Sequence, residues 1–327
     1  MAFAAQSPFD DALADLRVSG SLLRYERYHP PWAVSIPAED GLRAYLGVGP
    51  ETRVMPFHLV LEGAFDLTVA GQPPVRIATH EVAIYTQGDP HQVSSGQAGI
   101  LPAPFTAAYT GEGPGATGAG EGMATRLLCG VLVMNRAPLN PLLSALPPLL
   151  RIRTAGAPDS PMLMRAKEML VMEVGQADSN SFTTARLIEV FCAEAIAAYR
   201  RGEGAAGPGW FRALDDQKIG RALAALHRDP AAAWTVGLLA GTVAMSPSRF
   251  AARFRETTGQ SVMSCVAAWR MTVACRLLRD SGDGLAEIAQ RVGYQDVAAF
   301  SRAFKALVGV SPSQWRNTPS PRASRSQ

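Results

Sequence analysis

Charged residues are scarce in this chain of 327 residues, at 18%, and long apolar runs are missing as well. No stretch approaches the ~20 apolar residues that a membrane span needs, and one of the most apolar, residues 191–199, contains an acid. The first residues, MAFAAQSPFDDALADLR, lack the basic and apolar regions of a signal peptide. These absences predict a cytoplasmic protein with no membrane partner.

Cysteine is rare too. The four cysteines, Cys129, Cys192, Cys265 and Cys275, are scattered rather than spaced as in a metal site, and without an export signal reduced thiols are expected. Cys265 and Cys275 lie ten residues apart on a predicted helix, so a rise of about 15 Å separates them, beyond the ~7 Å reach of a disulfide. Cys129 lies on an apolar strand, where inert packing is expected and redox sensing is the alternative.

The charge that is present is unevenly distributed. Residues 212–327 carry 16 Lys and Arg against 8 Asp and Glu, a net charge of +8, whereas the whole chain has a net charge of +3. Residues 1–211 therefore carry a net charge of −5. At ~150 residues per domain the length predicts two domains. A basic C-terminal third predicts a polyanion partner for the second domain.

The sequence pattern changes between these two parts. Short apolar segments separated by Gly and Pro predict strands in the first part, while RGEGAAGPG at 201–209 is typical of a flexible linker. Residues 111–122 are a low-complexity loop. Two helices are predicted before the linker, the first beginning at the capping sequence Asp159-Ser160-Pro161. The predicted strands lie within 57–71, 75–85 and 125–134, and the predicted helices within 159–175 and 182–200.

A near-repeat in the C-terminal third is the most informative feature. LLAGTVAMSPSRFAARFR (238–255) is similar to EIAQRVGYQDVAAFSRAFK (287–305). Each contains a short apolar helix, a turn, and a second helix with a capping residue and two buried phenylalanines four residues apart. This is the helix-turn-helix arrangement, whose second helix can enter the major groove of DNA. The capping residues are Ser246 and Asp296, and the phenylalanine pairs are Phe250 with Phe254 and Phe300 with Phe304.

One longer helix is predicted between the repeats, over Val262–Asp280. At 1.5 Å per residue it spans about 28 Å. A rod of that length could hold two recognition helices near the ~34 Å repeat of one DNA turn. The two helices would then enter successive major grooves on one face of the duplex.

The segment GLAEIAQRVGYQDVAAFSRAFKALVGVSPSQWR (284–316) strongly resembles the signature of the AraC/XylS transcription regulators. The resemblance covers about residues 212–317. It implies a seven-helix domain with two helix-turn-helix units. It also implies a protein that is not an enzyme, that binds double-stranded DNA near promoters, and that regulates transcription, most often as an activator acting with RNA polymerase.

The same resemblance assigns a DNA-reading surface by motif position. Ala252 and Ala298 stand where other members often carry large polar side chains, so methyl contacts and backbone geometry would carry more of the recognition here. The plain alternative is that the arginines only solubilise the surface, or that Arg249 or Arg253 pairs with an acid such as Glu256. The assigned residues are Ser248, Arg249, Ala252 and Arg253 in the first unit, and Gln295, Asp296, Ala298, Ser301, Arg302 and Lys305 in the second.

The N-terminal half carries a second resemblance. FHLVLEGAFDL (57–67) and THEVAIYTQGDPHQV (79–93) resemble the two cupin motifs of the sensor domains that precede such DNA-binding domains. The resemblance covers roughly residues 20–155. It implies a small antiparallel β-barrel whose interior holds a ligand or a metal.

The residues of the cupin motifs favour an organic effector over a metal. His58 and Glu62 share a strand face by period-two alternation, and His91 matches the histidine of the second motif. Two imidazoles and a carboxylate are similar to a non-haem iron site, but Pro56 stands where the first motif has another histidine. Thr86 and His80 also depart from the second motif. We therefore predict no metal and no cofactor. His58, Glu62 and His91 are predicted to hydrogen-bond one another in a polar interior or to contact a small organic effector, and purely structural roles are the alternative. Trp32 is assigned to the same effector pocket, with plain core packing as its alternative.

The helix pair at 159–200 has more apolar residues than one barrel needs. In related regulators such helices form a homodimer interface, and the alternative is that they pack on their own barrel. The apolar residues are Met162, Leu163, Met169, Leu170, Met172, Leu187, Ile188, Val190 and Phe191.

These observations predict an α+β chain of two domains: a cupin-like antiparallel β-barrel with a helix pair, then an all-α domain with two helix-turn-helix units. The predicted function is sequence-specific regulation of transcription in response to an unidentified small molecule. Two alternatives stay open: a metal-dependent cupin enzyme with a DNA-binding tail, and a dimeric regulator without an effector. The predicted boundaries are 1–155 for the sensor, 156–200 for the helix pair, 201–211 for the linker, 212–318 for the DNA-binding domain and 319–327 for a disordered tail.

Overall fold

A computed structural model describes residues 7–97, 99–106, 123–135, 139–154, 160–176, 181–202, 204 and 209–317. The low-complexity loop 111–122, Asp159, most of the predicted linker 201–209 and the predicted tail 319–327 lie outside these residues. The chain divides into two compact units. The sheet unit is formed from Val18–Met134 and Pro147–Tyr199, and the helical unit from Met1–Arg17, Asn135–Leu146 and Arg200–Ser320, as far as these are described.

Among the residues described, the sheet unit contains ten strands. β2 and β8 are parallel, whereas the pairs β1–β9, β2–β7, β3–β6, β4–β5, β4–β7 and β6–β10 are antiparallel. Alternation of buried and more exposed positions sets the inner face of β4 and β10, whereas β3 and β6 are buried along most of their length. Their bounds are β1 (Ser19–Tyr28), β2 (Ala33–Ile36), β3 (Thr52–Glu62), β4 (Ala64–Val69), β5 (Val75–Ala78), β6 (Glu81–Tyr85), β7 (His91–Ser94), β8 (Ala103–Pro104), β9 (Thr125–Asn135) and β10 (Leu149–Arg153).

The strands form two five-stranded sheets rather than the closed barrel that the sequence predicted. One sheet has the order β1-β9-β3-β6-β10 and the other β5-β4-β7-β2-β8. A barrel needs hydrogen bonds between its first and last strands, whereas these sheets end at β1, β10, β5 and β8. The prediction of a closed barrel is therefore wrong, while the prediction of a sheet-rich N-terminal part and a helical C-terminal part is confirmed.

An apolar core lies between the strands and a helix pair covers one sheet. The core includes Trp32, Phe65, Tyr85 and Leu127, all at most 2% exposed. Phe191 of the second helix lies 6.5 Å from the ring of Phe57 on β3, so this helix packs on its own sheet. The helices of this unit are α2 (Glu39–Leu46), α4 (Pro161–Gln176) and α5 (Phe182–Arg201).

The helix pair nevertheless leaves an apolar surface uncovered. Leu163, Leu170, Ile188 and Phe191 are buried. Exposed apolar side chains on the same two helices are Met162, Met169, Met172, Phe182 and Val190. Packing on the sheet therefore uses only part of the apolar residues of these two helices.

The helical unit is formed mostly by short helices with side-chain caps at their first turns. Asp216 caps α7, Thr235 caps α8 and Ser261 caps α10 by accepting backbone N–H bonds. The long helix α10 has the bounds that the sequence predicted. The helices are α1 (Pro8–Leu16), α3 (Pro141–Ala145), α6 (Trp210–Asp215), α7 (Gln217–Arg228), α8 (Val236–Thr242), α9 (Pro247–Thr258), α10 (Val262–Asp280), α11 (Leu285–Arg291), α12 (Val297–Val308) and α13 (Pro312–Asn317).

Two segments that precede the predicted linker in the chain, Met1–Arg17 and Asn135–Leu146, belong to this helical unit as far as they are described. The carboxylate of Asp15 in α1 accepts a hydrogen bond from Arg276 of α10 at 2.6 Å, and Arg17 pairs with Asp280 at the end of α10. Asn140 donates to the carbonyl oxygen of Ala12 at 2.7 Å. The first helix and the segment around α3 are therefore bound to one another and to α10 in the helical unit.

Among the described residues, no single helix has both the length and the hydropathy that crossing a membrane requires. Helices α9 and α10 meet that test only as a pair, by length and composition, with a bend of 62° between them.

Candidate functional site

The two helix pairs α8–α9 and α11–α12 have the same turn. In the first, the N–H of Met245 donates to the carbonyl oxygen of Ala240 at 3.0 Å, and in the second the N–H of Tyr294 donates to that of Ala289 at 2.8 Å. A residue with positive φ precedes each donor, Ala244 in the first and Gly293 in the second. This is the Schellman pattern that ends a helix and reverses the chain. The repeat in the sequence is therefore a repeat of backbone geometry.

The second helix of each pair buries its phenylalanines and exposes its polar face. Phe250 and Phe254 lie 5.7 Å apart in α9, and Phe300 and Phe304 lie 5.8 Å apart in α12. All four are at most 2% exposed. Because residues three and four apart share a helix face, burial of these rings turns the intervening polar residues outward.

Most of the residues assigned to DNA reading are exposed, and three of them have other features. Ser301 is half-buried. Asp296 caps α12 by accepting bonds from the N–H groups of Ala298 and Ala299, and these bonds lower the pKa of its carboxyl. Arg253 is bound within the protein, as described below. The exposed residues are Ser248, Arg249, Ala252 and Arg253 on α9, and Gln295, Asp296, Ala298, Arg302 and Lys305 on or just before α12.

Arg253 forms an ion pair with the residue that caps α7. Its Nε and Nη2 donate to Oδ2 of Asp216 at 3.1 and 2.7 Å. The other carboxylate oxygen of Asp216 accepts from the N–H groups of Lys218 and Ile219, both at 2.9 Å. Burial alone would raise the pKa of Asp216, but these backbone bonds and Arg253 together lower it. Part of the hydrogen-bonding capacity of Arg253 is thus used inside the protein.

A cluster of polar side chains lies in the sheet unit, with His58 and His91 buried and Cys129 half-buried. Nε2 of His58 on β3 lies 3.1 Å from Nε2 of His91 on β7. Nδ1 of His58 lies 3.1 Å from Sγ of Cys129 on β9. Aromatic rings flank the two histidines. The ring centroids of Phe65 and His58 lie 5.7 Å apart, and those of Tyr85 and His91 lie 5.1 Å apart. The cluster therefore joins three strands through side chains that are enclosed by apolar rings.

Burial keeps the members of this cluster uncharged. It lowers the pKa of His58 well below its usual value, with a further contribution from His91, and lowers the pKa of His91 to about 4. Burial raises the pKa of the Cys129 thiol to about 12. At neutral pH the cluster consequently contains two neutral imidazoles and a thiol.

One proton arrangement satisfies every contact of the cluster. Nδ1 of His91 lies 3.5 Å from the carbonyl oxygen of Asp89, which can only accept, so Nδ1 carries the proton. Nε2 of a neutral His91 then accepts from Nε2–H of His58. Nδ1 of His58 in turn accepts from the thiol of Cys129. The chain of donors runs in one direction, from Cys129 to the backbone of Asp89.

Of the four residues assigned to an effector pocket, the structure brings His58 and His91 into contact. Trp32 is fully buried in the same core, stacked on Tyr28 with ring centroids 4.6 Å apart. Glu62 does not join the histidines. Its carboxylate lies 3.0 Å from Arg27 and 3.7 Å from Arg126, and its side chain is 47% exposed. Arg27 and Arg126 are directly opposite each other on paired strands, and the carboxylate offsets their repulsion.

The sequence interpretation did not include Cys129 in this site. A signal for it exists, because Leu127, Cys129, Val131 and Val133 alternate along β9 and all four belong to or pack on the core between the strands. Period-two alternation therefore predicts an inward thiol. It does not predict contact with His58, which is 71 residues away in the chain.

The donors do not suit a metal of the cupin type. The two ring nitrogens of His58 face different partners, His91 and Cys129, so the three side chains do not converge on one point. Glu62, the carboxylate of the expected set, is held by arginines instead. Within the part of the chain that the structure describes, no group of three His, Cys, Asp or Glu residues has the arrangement of a metal site.

Comparison with known proteins agrees with both halves of this description. A cupin family model matches residues 7–199 and a helix-turn-helix domain model matches residues 239–318. An AraC-like transcription regulator of Streptomyces antibioticus is 31% identical over 82% of this chain and 89% of its own length. One of Streptomyces lividans is 30% identical over 82% and 88%.

This chain belongs to the AraC-like transcription regulators. As an AraC-like regulator with a cupin domain, it is a DNA-binding protein of transcription rather than an enzyme, as its relatives are. A solved structure of the C-terminal domain of AraT, a response regulator from Geobacillus stearothermophilus, covers 34% of this chain and 93% of its own at 28% identity and a TM-score of 0.32.

Proposed function

We propose that this AraC-like regulator reads DNA through two helix-turn-helix units, α8–α9 and α11–α12. The observation that carries the proposal is the repeated turn, in which one hydrogen bond from Met245 to Ala240 corresponds to another from Tyr294 to Ala289. Two copies of one geometry on a single helix of about 28 Å suit two major grooves about one DNA turn apart.

The exposed side chains of α9 and α12 provide the contacts. Arg302 is exposed at mid-helix between the buried Phe300 and Phe304, so it is proposed to fork onto a guanine edge or a phosphate. Arg249 and Lys305 are proposed as further cationic contacts. Arg253 contributes less, because Asp216 already binds two of its nitrogens. The remaining proposed readers are Ser248, Ala252, Gln295, Asp296, Ala298 and Ser301.

We propose further that a small organic effector binds in the sheet unit near His58, His91 and Trp32. The indole N–H of Trp32 is buried, and no hydrogen-bond acceptor meets it among the described residues. An unmade buried bond costs about 1–3 kcal/mol, so a ligand that offers an acceptor there would recover it. Cys129 is added to this pocket through its contact with His58, and Glu62 is proposed only as a surface ion pair.

The remaining features of the regulator follow from this proposal. Met162, Met169 and Met172 line the exposed face of α4, which supports a homodimer through the helix pair. Activation through RNA polymerase in the cytoplasm is the proposed outcome of DNA binding. The alternative of a regulator without an effector is the second candidate, favoured if no ligand perturbs the polar cluster.

The DNA-reading proposal is tested by selecting duplexes from a random library with the full chain. The selected sequence should contain two boxes about one turn apart. Arg302→Ala should weaken binding to that duplex by about 1–3 kcal/mol, and Arg253→Ala should weaken it less. The two variants form a matched pair, since each removes one arginine from a second helix.

Two results would count against the proposal. The first is a selected sequence with a single box, which would leave one helix pair without a role in reading. The second is an Arg302→Ala variant that stays folded by circular dichroism and binds the selected duplex as tightly as the wild type does.

The effector proposal is tested by thermal shift of the full chain against a library of small metabolites. A genuine effector should raise the melting temperature of the wild type and of Glu62→Gln, and should lose this shift in Trp32→Phe and His91→Ala. Shifts that persist in both pocket variants would place the ligand elsewhere. No shift with any compound, while DNA binding is intact, would favour the regulator without an effector.

A further inference from the structure

A single side chain in the middle of α10 binds the loop that leads into the first helix pair. Nε of Arg270 donates to the carbonyl oxygen of Pro230 at 2.9 Å, and Nη2 donates to that of Ala232 at 2.7 Å. These carbonyls lie in the loop 229–235 between α7 and α8. The planar fork of a guanidinium suits two acceptors at once. Arg270 therefore fixes the position of this loop on α10.

Hydrogen bonds within the loop 229–235 hold its shape, so the position of the loop determines the position of α8. The indole N–H of Trp234 donates to the carbonyl oxygen of Asp229 at 2.7 Å, and the N–H of Ala232 donates to the carboxylate of Asp229 at 3.1 Å. The next residue, Thr235, caps α8. A loop that is closed on itself and ends in a helix cap moves with that helix. Arg270 thereby acts on the whole first helix pair.

The same guanidinium also lies against the turn of the second helix pair. Gly293 has a φ of 82°, and a Cβ at this position would lie 2.6 Å from Nη2 of Arg270 and 2.8 Å from the carbonyl oxygen of Ala231. Cζ of Arg270 lies 5.7 Å from the ring centre of Tyr294, within the range of a cation–π contact. Tyr294 is the residue whose N–H closes the second turn. The loop before the first pair and the turn of the second thus meet at Arg270.

We propose that Arg270 is a positioning residue that sets the spacing between the two DNA-reading helix pairs. This role rests on the proposed function, since it has meaning only if both pairs read DNA. Helix α10 connects the pairs along the chain and packs against α9, α11 and α12. The contacts of Arg270 with both the loop at 229–235 and the turn at Gly293 provide a second connection, which closes the arrangement.

The consequence concerns spacing tolerance rather than the strength of each contact. One base pair is about 3.4 Å of duplex. A pair of readers held at two points accepts one separation between boxes, whereas a pair held only by α10 accepts its neighbours as well. Loss of Arg270 should therefore broaden the accepted spacing and leave the preferred sequence of each box unchanged.

The experiment uses the full chain and random-library duplexes, followed by a set of duplexes with the selected boxes moved one base pair closer or further apart. Wild-type protein should bind the moved boxes at least about tenfold more weakly, comparable with the cost of a mismatched base pair. In Arg270→Ala, the ratio of the affinity for the selected spacing to the affinity for the moved boxes should fall to about threefold or less, and the preferred sequence of each box should stay the same. Arg228→Ala is the matched control, because it removes an exposed arginine from α7 and should keep the wild-type ratio.

Arg270→Lys keeps the positive charge and the long side chain but offers no planar fork. It should also relax the ratio, and it decides the question if Arg270→Ala does not fold. A folded Arg270 variant that discriminates spacing as sharply as the wild type would overturn the role of Arg270. A wild type that shows no spacing preference would contradict the two-reader function itself, which is a different failure and is visible before any variant is made.

Discussion

Ala244 and Gly293 occupy equivalent positions in the two turns, and both have a left-handed backbone, with φ of 50° and 82°. Glycine adopts this conformation freely, whereas a side chain at Cβ makes it costly. Ala244 is also exposed, so packing of its methyl group does not compensate. Hydrogen bonds of the turn, such as that from Met245 to Ala240, therefore hold Ala244 in a backbone conformation that alanine disfavours.

Ala244→Gly should therefore stabilise the helical unit. The left-handed conformation costs alanine about 1–2 kcal/mol, and the extra freedom of glycine in the unfolded chain returns roughly 0.5–1 kcal/mol of this. We expect the free energy of unfolding to rise by about 0.5–1 kcal/mol, measured by urea denaturation. Ala306→Gly, at an exposed position inside α12, should lower it by about 1 kcal/mol. Equal losses in both variants would contradict this reading of the turn.

Asp216 should make the helical unit sensitive to acid. Its pKa is lowered in the folded state, so the ionised carboxylate contributes stability above its unfolded pKa of about 3.9. That contribution is lost as the pH falls through the lower folded value. Asp216→Asn can still cap α7 but cannot ionise, so it should be less stable than the wild type at pH 7 and approach it below about pH 4. Urea denaturation at pH 7, 5 and 3 measures the difference.

The control for this prediction is Glu256→Gln, which removes an exposed carboxylate from α9, the helix of Arg253. Its stability should follow the wild-type profile across the same pH range. A constant difference between Asp216→Asn and wild type at every pH would show that the charge of Asp216 contributes nothing.

The first helix should support the DNA-binding part of the chain. Leu16 in α1 is fully buried in the helical unit, and removing such a side chain typically costs about 2–5 kcal/mol. Leu16→Ala should lower the urea midpoint of this unit and weaken DNA binding at 37 °C. Leu101→Ala, at a position that is 90% exposed, is the matched control and should change neither. An unchanged midpoint in Leu16→Ala would mean that α1 does not stabilise the unit.

The thiols should be protected in the native protein. Burial raises the pKa of Cys129, Cys265 and Cys275 to about 12, and raises that of Cys192 as well. Since the thiolate is the reactive form, native protein at pH 8 should react with Ellman's reagent at least about a hundredfold more slowly than urea-denatured protein, in which four thiols react. One thiol that reacts rapidly in the native state would support redox sensing instead.

Local features of the fold were predictable from the sequence and long-range ones were not. The bounds of α10 and the presence of the two helix pairs follow from apolar spacing, capping residues and the repeat. Apolar spacing and capping residues are signals between residues that are close together in the sequence. Glu62 shows the opposite case. Strand alternation sets its face, but the arginines that hold it come from two other strands, 35 residues before it at Arg27 and 64 after it at Arg126.

Closure of the barrel failed as a prediction for a related reason. Closure depends on hydrogen bonds between the edge strands, and the edge strands here include the two-residue strand Ala103–Pro104. Nothing in an alternating pattern specifies such pairing. Likewise, the amphipathic sequence of α1 does not indicate that this helix packs against α3 and α7 and forms ion pairs with α10, instead of contacting a neighbouring strand.

The two ion pairs between the α1 segment and α10 have a consequence for protein synthesis. Asp15 and Arg276 are 261 positions apart, and Arg17 and Asp280 are 263 apart. At roughly 5–20 residues per second, the ribosome needs on the order of 13–50 s to deliver the second member of each pair after the first. During that time the strands between them are synthesised, and the apolar face of α1, which includes Phe9 and Leu16, cannot yet complete its packing in the helical unit. A fusion partner or chaperone bound near the start of the chain would therefore act on the last part of the protein to be completed.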